Sequence, residues 1–171
     1  MAGSLNLVDS ESVTSGVSAV TLTGIDSTYN VYQVVLNNIE CDTDAQDVAL
    51  RFTVSGSPDT SSNYDKANKE LRADTTFGNA NTQNGSYIAI GDIGTGTGEQ
   101  LNGILYLFNF SNASEYSFCT FDTSYINSTP NHRGRQGGGA LTVQQATDGI
   151  TIYMASGNID KGEFKLYGLR K

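Results

Sequence analysis

Charged residues are scarce in this sequence, and their scarcity argues against several kinds of protein. Only 16% of the 171 residues are charged, whereas long solvent-exposed helices usually carry many Glu, Lys and Arg side chains. Ten basic residues against eighteen acidic ones give a net charge of −8, so the chain lacks the basic surface that nucleic acid requires. No apolar run approaches the ~20 residues of a membrane span. We therefore expect neither a nucleic-acid partner nor a membrane partner.

The N-terminus and the cysteines both point to folding in a cytoplasm. Residues 1–4 have neither the basic start nor the apolar core of a secretory signal. Two cysteines are too few for the disulfide framework of a secreted domain. Cys119 lies in an aromatic, strand-like run, so we expect a small buried apolar residue there. The sequence leaves open whether it pairs with Cys41.

Histidine occurs once, at His132, which limits the common catalytic and metal sites. A Ser–His–Asp or Cys–His arrangement would need this residue as its base, and no carboxylate is close to it in sequence. Zinc would need both cysteines as well, and their spacing fits no short zinc pattern. An acidic cluster at 42–47 has Asp47 and Thr53 where a helix-loop-helix calcium site needs glycine and glutamate. We therefore predict no catalytic residue, no metal, no cofactor and no enzymatic activity.

Two further features contain residues of a chemical site, but the sequence places them in loops or at loop edges. A glycoside hydrolase needs two carboxylates ~5–10 Å apart in a groove. The candidates Asp65, Glu70, Asp92 and Glu99 all fall at predicted loop edges, and nothing in the sequence singles out a pair. The glycine-rich segment 94–98 lacks the Lys-Ser/Thr that holds a phosphate, so we predict a flexible hairpin there.

Alternation of apolar and polar residues is the strongest structural signal in the chain. In residues 47–54, every second residue from Val48 to Val54 is apolar, and the residues between them are predicted to face outward. A period of two is typical of a half-buried β-strand. Residues 103–110 are apolar almost throughout, which is typical of a strand covered on both faces.

Turn-forming segments separate the predicted strands. The polar loops are expected at 55–63, 78–85, 94–98 and 129–139. Residues 64–71 are ambiguous between a strand and the one short helix that the chain would tolerate, and no repeat of ~20–50 residues recurs. The sequence thus predicts one all-β domain over residues 1–171, an antiparallel jelly-roll-like β-sandwich of eight to ten short strands with at most one short helix.

One loop combines an aromatic residue with several polar ones. Tyr125 is followed closely by Asn131, His132, Arg133 and Arg135. Such a set would suit an exposed loop that binds a sugar or a protein partner. The alternative interpretation is a solvated loop beside a core tyrosine.

The end of the chain reads as a turn followed by a short strand. Phe164 and Leu166 alternate with Lys165 and Tyr167, and the sequence stops shortly afterwards at Lys171. A terminal strand is held only if it pairs inside a sheet. We therefore predict that this strand is locked into the sandwich.

Several segments together resemble a module of tailed bacteriophages, often described as a tail-fibre or virion structural protein. The segments that carry the resemblance are 20–25 followed by Tyr29 and Tyr32, then 50–52, 62–64, 103–110 and 156–169. The last segment is the most specific of them. Together they cover most of the chain.

The resemblance implies a β-sandwich on the outside of a virion, often present in threes or in many copies. The expected function is that of a non-enzymatic structural protein, a head decoration or a tail or fibre component. It would pack onto other virion proteins and onto copies of itself, with a trimer favoured. Tail-fibre proteins usually carry a long attachment region before this module, so residues 1–14 are the expected anchoring arm. The alternative is an adhesion module that binds a host-surface glycan through Tyr125, Asn131, His132 and Arg133.

Overall fold

Thirteen strands, all paired antiparallel, build the part of the chain that the computed structural model describes, residues 4–170. The strands are β1 (Leu5–Val13), β2 (Ala19–Thr23), β3 (Val31–Cys41), β4 (Gln46–Val54), β5 (Ser57–Pro58), β6 (Tyr64–Arg72), β7 (Gly78–Gly85), β8 (Ile88–Ile93), β9 (Leu101–Phe108), β10 (Ser117–Ile126), β11 (His132–Leu141), β12 (Gly149–Met154) and β13 (Ile159–Leu169). No helix occurs within residues 4–170, and none of the described residues forms a helical span that would cross a bilayer.

The strands form two sheets of unequal width. Sheet A has eight strands in the order β1-β13-β3-β9-β10-β11-β6-β7. Sheet B has five, in the order β2-β12-β4-β5, with β8 also paired to β4. The all-β sandwich that the sequence predicts is therefore confirmed, whereas the jelly-roll connectivity stays a prediction.

Buried side chains from both sheets form one core cluster. In β10 the alternation is regular: Cys119 and Phe121 are buried, and Phe118 and Thr120 between them are exposed. In β4 the alternation is less clean, because Ala49 and Thr53 were both expected to face outward and are buried as well. Ala49 lies in register between Tyr153 of β12 and Ala89 of β8, so the neighbouring strands cover its small side chain.

The described residues form more strands than the eight to ten that the sequence predicts, and three segments differ from their predicted structure. Residues 78–85 were expected to be a loop and form β7; most of 129–139 was also expected to be a loop and forms β11. The possible helix at 64–71 is instead strand β6, paired on both sides by β7 and β11. Glycine, asparagine and charge gave these segments the composition of turns or helix, and tertiary pairing overrode that local preference.

The two ends of the chain pair with each other. Residues 5–13, expected to form an anchoring arm, are strand β1, which is paired antiparallel with β13; residues 1–3 of that predicted arm lie outside the described residues. Strand β13 is also paired with β3 on its other side. The prediction that the last strand is locked inside a sheet is thus confirmed.

Phe52 provides a test of how the core stabilises the fold. Its ring is fully buried and packs against Phe110 at 4.5 Å and Tyr64 at 5.7 Å between ring centroids. We expect Phe52→Ala to lower the free energy of unfolding by about 3–5 kcal/mol, because it leaves a cavity between the sheets. Urea denaturation followed by tyrosine fluorescence measures this. The control is Phe77→Ala, since Phe77 is 58% exposed and its removal should change stability by less than about 0.5 kcal/mol.

Candidate functional site

The predicted ligand loop is a tight hairpin turn followed by a central strand. Asn131 lies in the turn between β10 and β11, where its backbone N–H donates to Asn127 Oδ1 at 3.0 Å. His132 is exposed and lies 2.9 Å from Ser124 Oγ through its Nε2. Arg133 and Arg135 lie on the opposite side of β11 from His132, because side chains alternate along a strand. The five residues therefore do not lie together in one exposed loop. The burial of Tyr125 agrees with the alternative interpretation, a core tyrosine beside the loop.

Tyr125 and the two arginines do share a cleft of about 490 Å³ between the sheets. Tyr125 is only 4% exposed, and its hydroxyl donates to Asp92 Oδ1 at 3.0 Å. The Arg133 guanidinium is held by Asp74, with N–O distances of 2.9 and 3.0 Å. Tyr125 consequently offers no free ring face to a ligand, and Arg133 is already paired.

Arg135 is the centre of this cleft, which we call the ionic cleft. Its guanidinium lies 3.2 Å from Asp47 Oδ1, 3.2 Å from Asp92 Oδ1 and 3.5 Å from Glu70 Oε1. Arg135 and Glu70 belong to sheet A, whereas Asp47 and Asp92 belong to sheet B. One buried cation thus connects three carboxylates across the two layers, and the arrangement works as a clamp between the sheets.

The carboxylates of the clamp have different proton affinities. Burial raises the pKa of Asp92, while a hydrogen bond from Arg72 lowers the pKa of Glu70. Burial and the nearby Arg135 also lower the pKa of Lys66, on the same strand as Glu70. The low pKa of Glu70 keeps it ionised at neutral pH, as the partner of a buried arginine should be.

Of the four carboxylates considered for glycoside cleavage, the ionic cleft brings together two, Glu70 and Asp92. Glu99 accepts a hydrogen bond from Gly96 N at 2.9 Å and holds a turn. Asp65 accepts one from Asn84 N at 2.9 Å, at an irregular position in the pairing of β6 with β7. The guanidinium of Arg135 lies between Glu70 and Asp92 and contacts both carboxylates. The two carboxylates are therefore ion-paired with the arginine and do not face an open groove together. Among the described residues, no cluster of three or more His, Cys, Asp and Glu side chains has the arrangement of a metal site.

Sequence reasoning missed Asp47 as a partner of Arg135, because 88 residues separate the two. One arm of the hairpin left a readable signal. The alternating, aromatic-rich β10 is followed by the turn 127–131 with its Asn and Pro residues, which is typical of the first half of a β-hairpin, whereas the glycine-rich β11 has no such signal. Within β11, Arg133 and Arg135 then fall on one face by their spacing alone.

Both cysteines are free and buried. Burial raises the pKa of Cys41 to about 11 and that of Cys119 to about 12. Both thiols are therefore protonated at neutral pH and poorly nucleophilic. The expectation of a small buried residue at Cys119 is confirmed, and the open question of pairing is answered by two unpaired thiols.

The outer face of sheet A carries a second feature, a set of apolar side chains arranged around Gln33. We define this apolar face by Leu7, Val35, Ile104, Tyr106, Phe108, Phe118 and Tyr167. Cross-strand register joins them, since Val35 lies opposite Ile104, Phe108 opposite Phe118, and Leu7 opposite Tyr167. Ile104, Tyr106 and Phe118 are 41%, 37% and 43% exposed. Strand β9 was expected to be covered on both faces, and that is wrong for the isolated chain.

Removing the central cation tests the clamp. We expect Arg135→Ala to lower the free energy of unfolding by about 3–5 kcal/mol, because three carboxylates lose their shared buried partner. Urea denaturation at neutral pH measures the loss. Arg170→Ala is the matched control, since Arg170 is exposed and should change stability by less than about 0.5 kcal/mol. Equal stability of the two variants would contradict the clamp.

Glu70 and Asp92 should affect acid stability in opposite directions. The folded pKa of Glu70 is below its ordinary value of 4.5, so its stabilising contribution is complete above that pH and is lost as pH falls through the folded value. The folded pKa of Asp92 is above its ordinary value of 3.8, so proton uptake there favours the folded state as pH falls toward 3.8. Glu70→Gln should therefore flatten the acid-side fall of unfolding free energy, and Asp92→Asn should steepen it. Urea denaturation at a series of pH values from about 6 to about 3 measures both slopes.

Comparison with known proteins finds no relative for this arrangement. No protein-family model matches the chain. No curated protein and no solved structure matches it either. The ionic cleft and the apolar face are therefore interpreted from their own geometry and chemistry.

Proposed function

We propose that this chain is a non-enzymatic structural protein on the exterior of a tailed-phage virion, either a head decoration or a tail or fibre component. It acts by packing onto other virion proteins and onto copies of itself. The resemblance of several sequence segments to phage virion modules supports the virion part of the proposal. The apolar face of sheet A supports the packing part, and it is the observation that carries the proposal.

Strand β9 gives the most direct support for a partner surface that covers the outside of sheet A. Its inward residues Leu105 and Leu107 are fully buried against the core, whereas Ile104 and Tyr106 on its other face are exposed. Ile104 is as apolar as the two leucines and Tyr106 adds an aromatic ring, and large apolar side chains on both faces are usual for a strand buried on two sides. A partner surface on the outside of sheet A would bury the second set.

The size of the apolar face fits the centre of a protein interface. It spans five adjacent strands, or about 20 Å, and the distance from Ile104 to Phe108 along them, or about 14 Å, which gives roughly 300 Å². The largest apolar patch of a typical monomer has about this size and is often functional. A stable interface covers about 800 Å² on each partner, so the patch would form its apolar centre. The exposed Thr120 and Asp122 beside it would form part of the polar rim.

A hydrogen bond in the middle of the apolar face adds specificity to this surface. Gln33 lies opposite both Tyr106 and Tyr167 and is only 8% exposed. Its Nε2 donates to the Tyr106 hydroxyl at 2.9 Å. The tyrosine ring is thereby held in place before any partner arrives, which reduces the entropy lost on association.

A charge in the centre of the apolar face tests self-association. We expect the wild-type chain to sediment as an oligomer, with three copies favoured by the resemblance. Ile104→Glu should weaken the association at least about tenfold, because a carboxylate would be buried without a partner. Sedimentation velocity over a range of concentrations measures this. The control is Phe77→Glu, a comparably exposed apolar site outside the face, which should associate like the wild type.

The virion assignment is tested on purified particles. Quantitative mass spectrometry of particles should find this chain, and its ratio to the major capsid protein separates the two locations. A ratio near one copy per shell subunit indicates head decoration, and a small number of copies per particle indicates the tail. Absence of the chain from purified particles would contradict the proposal.

A further inference from the structure

A second cleft, of about 550 Å³, lies between the loop that joins β2 to β3 and the loop that joins β9 to β10. We call it the tyrosine cleft. Its polar lining consists of Ser27, Tyr29, Asn30, Asn109, Ser111 and Asn112. Within the described residues, no charged side chain lines it, although the chain as a whole has a net charge of −8. Its chemistry is therefore that of neutral amides, hydroxyls and a phenol ring.

Several of these polar groups have no hydrogen-bond partner among the described residues. In the described part of the chain, no hydrogen bond engages the side-chain amides of Asn30 and Asn109 or the hydroxyl of Tyr29. Asn30 and Asn109 are both exposed. Each amide offers donors and an acceptor side by side, which matches the adjacent hydroxyls of a sugar ring.

The ring of Tyr29 has a fixed place in the cleft. It packs edge to face against Tyr32, with ring centroids 5.5 Å apart at 85°. It also lies directly against the backbone of Gly168 on β13, where a Cβ atom would come within 2.2 Å of the ring. The ring can occupy this position only because residue 168 has no side chain. Aromatic groups combined with a few placed polar groups are typical of small-molecule sites.

The first wall of the cleft is fixed before any ligand binds. Asp26 Oδ1 accepts a hydrogen bond from Thr28 N at 2.7 Å, and the Tyr32 hydroxyl accepts one from Asp26 N at 2.9 Å. The hydrogen bond from Thr28 lowers the pKa of Asp26, so the turn is maintained at neutral pH. Its carboxylate is used inside the turn, which leaves the cleft lining uncharged.

The opposite wall is anchored in the core. Phe110 is 2% exposed and packs against Phe52, and its carbonyl accepts the backbone N–H of Thr147 at 2.6 Å. Next to it, Asn109 has a positive φ of 63°, a conformation that asparagine adopts more readily than most residues. Within the second wall Asn112 Oδ1 accepts the backbone N–H of Ser114 at 2.9 Å. The contacts that hold the two walls thus leave the side-chain amides of Asn30 and Asn109 unused.

From this geometry we infer that the tyrosine cleft binds a neutral saccharide. The amides of Asn30 and Asn109 bond the sugar hydroxyls, and the ring of Tyr29 packs against the apolar face of the sugar. No cation is present to pair with a uronic or sialic acid, so acidic sugars bind worse. The site goes beyond the structural role proposed above and does not depend on it. It also differs from the glycan site expected at Tyr125, because Tyr125 lies in the ionic cleft.

The test uses isothermal titration of the full chain with neutral oligosaccharides of glucose, galactose, mannose and N-acetylglucosamine, and with a uronic-acid oligosaccharide as the acidic probe. We expect at least one neutral probe to bind and the acidic probe to bind at least about tenfold more weakly. Tyr29→Ala and Asn30→Ala should each weaken the neutral probe about tenfold or more. Asn30 is exposed and without a hydrogen-bonding role, so its variant should fold normally.

Two further variants separate the site from general damage. Gly168→Ala should weaken binding as Tyr29→Ala does, because the new methyl group displaces the ring, and its unfolding curve reports any loss of stability. Phe77→Ala, at an exposed site outside the cleft lining, should bind like the wild type. The inference is overturned if no neutral probe binds, if Tyr29→Ala and Asn30→Ala bind unchanged, or if the acidic probe binds better. Retained binding in Ile104→Glu would show that the site is independent of self-association.

Discussion

Burial of the inner faces of two unequal sheets is the constraint on which this structure depends. Sheet A has eight strands and sheet B has five, so the apolar cover that sheet B supplies does not reach equally under every strand of sheet A. Tyr64, at the start of β6, is fully buried in the core. Asn68 and Glu70 follow on the same face of that strand. At this point the inner face of β6 changes from apolar to polar, and the contact of Glu70 with Arg135 replaces apolar packing.

The clamp shows how the molecule handles charge at the margin of its core. A buried guanidinium is tolerated when several carboxylates surround it, and Arg135 has three. Its strand also runs close to its neighbours: a Cβ atom on Gly137 would lie 2.3 Å from the carbonyl oxygen of Ala67. Glycine at this position lets β11 and β6 approach, and the same approach brings Arg135 to Glu70. Local backbone packing and the ionic contact are therefore parts of one arrangement.

The three surfaces of the molecule differ in chemistry and therefore in the partners they fit. The ionic cleft has its charges paired internally, which suits it to stability. The apolar face has large side chains without a cover, which suits it to a protein surface. The tyrosine cleft has unpaired neutral polar groups beside an aromatic ring, which suits it to a small polar ligand. If both proposals hold, one β-sandwich would carry a surface for packing onto other proteins and a separate site for a saccharide.

The sequence by itself determined the fold class, because alternation along strands such as β4 and β10 is a local property that survives in any antiparallel sheet. It also determined that Cys119 is buried and that the last strand pairs inside a sheet. It did not reveal β7 or β11, whose glycine and asparagine residues have the composition of turns and become strands only through their neighbours. Only the tertiary structure decided that Asp47 meets Arg135, that Tyr125 is buried instead of exposed, and that Tyr29 rests on Gly168. These contacts join residues far apart in the chain, and strand order, which no local pattern encodes, places them side by side.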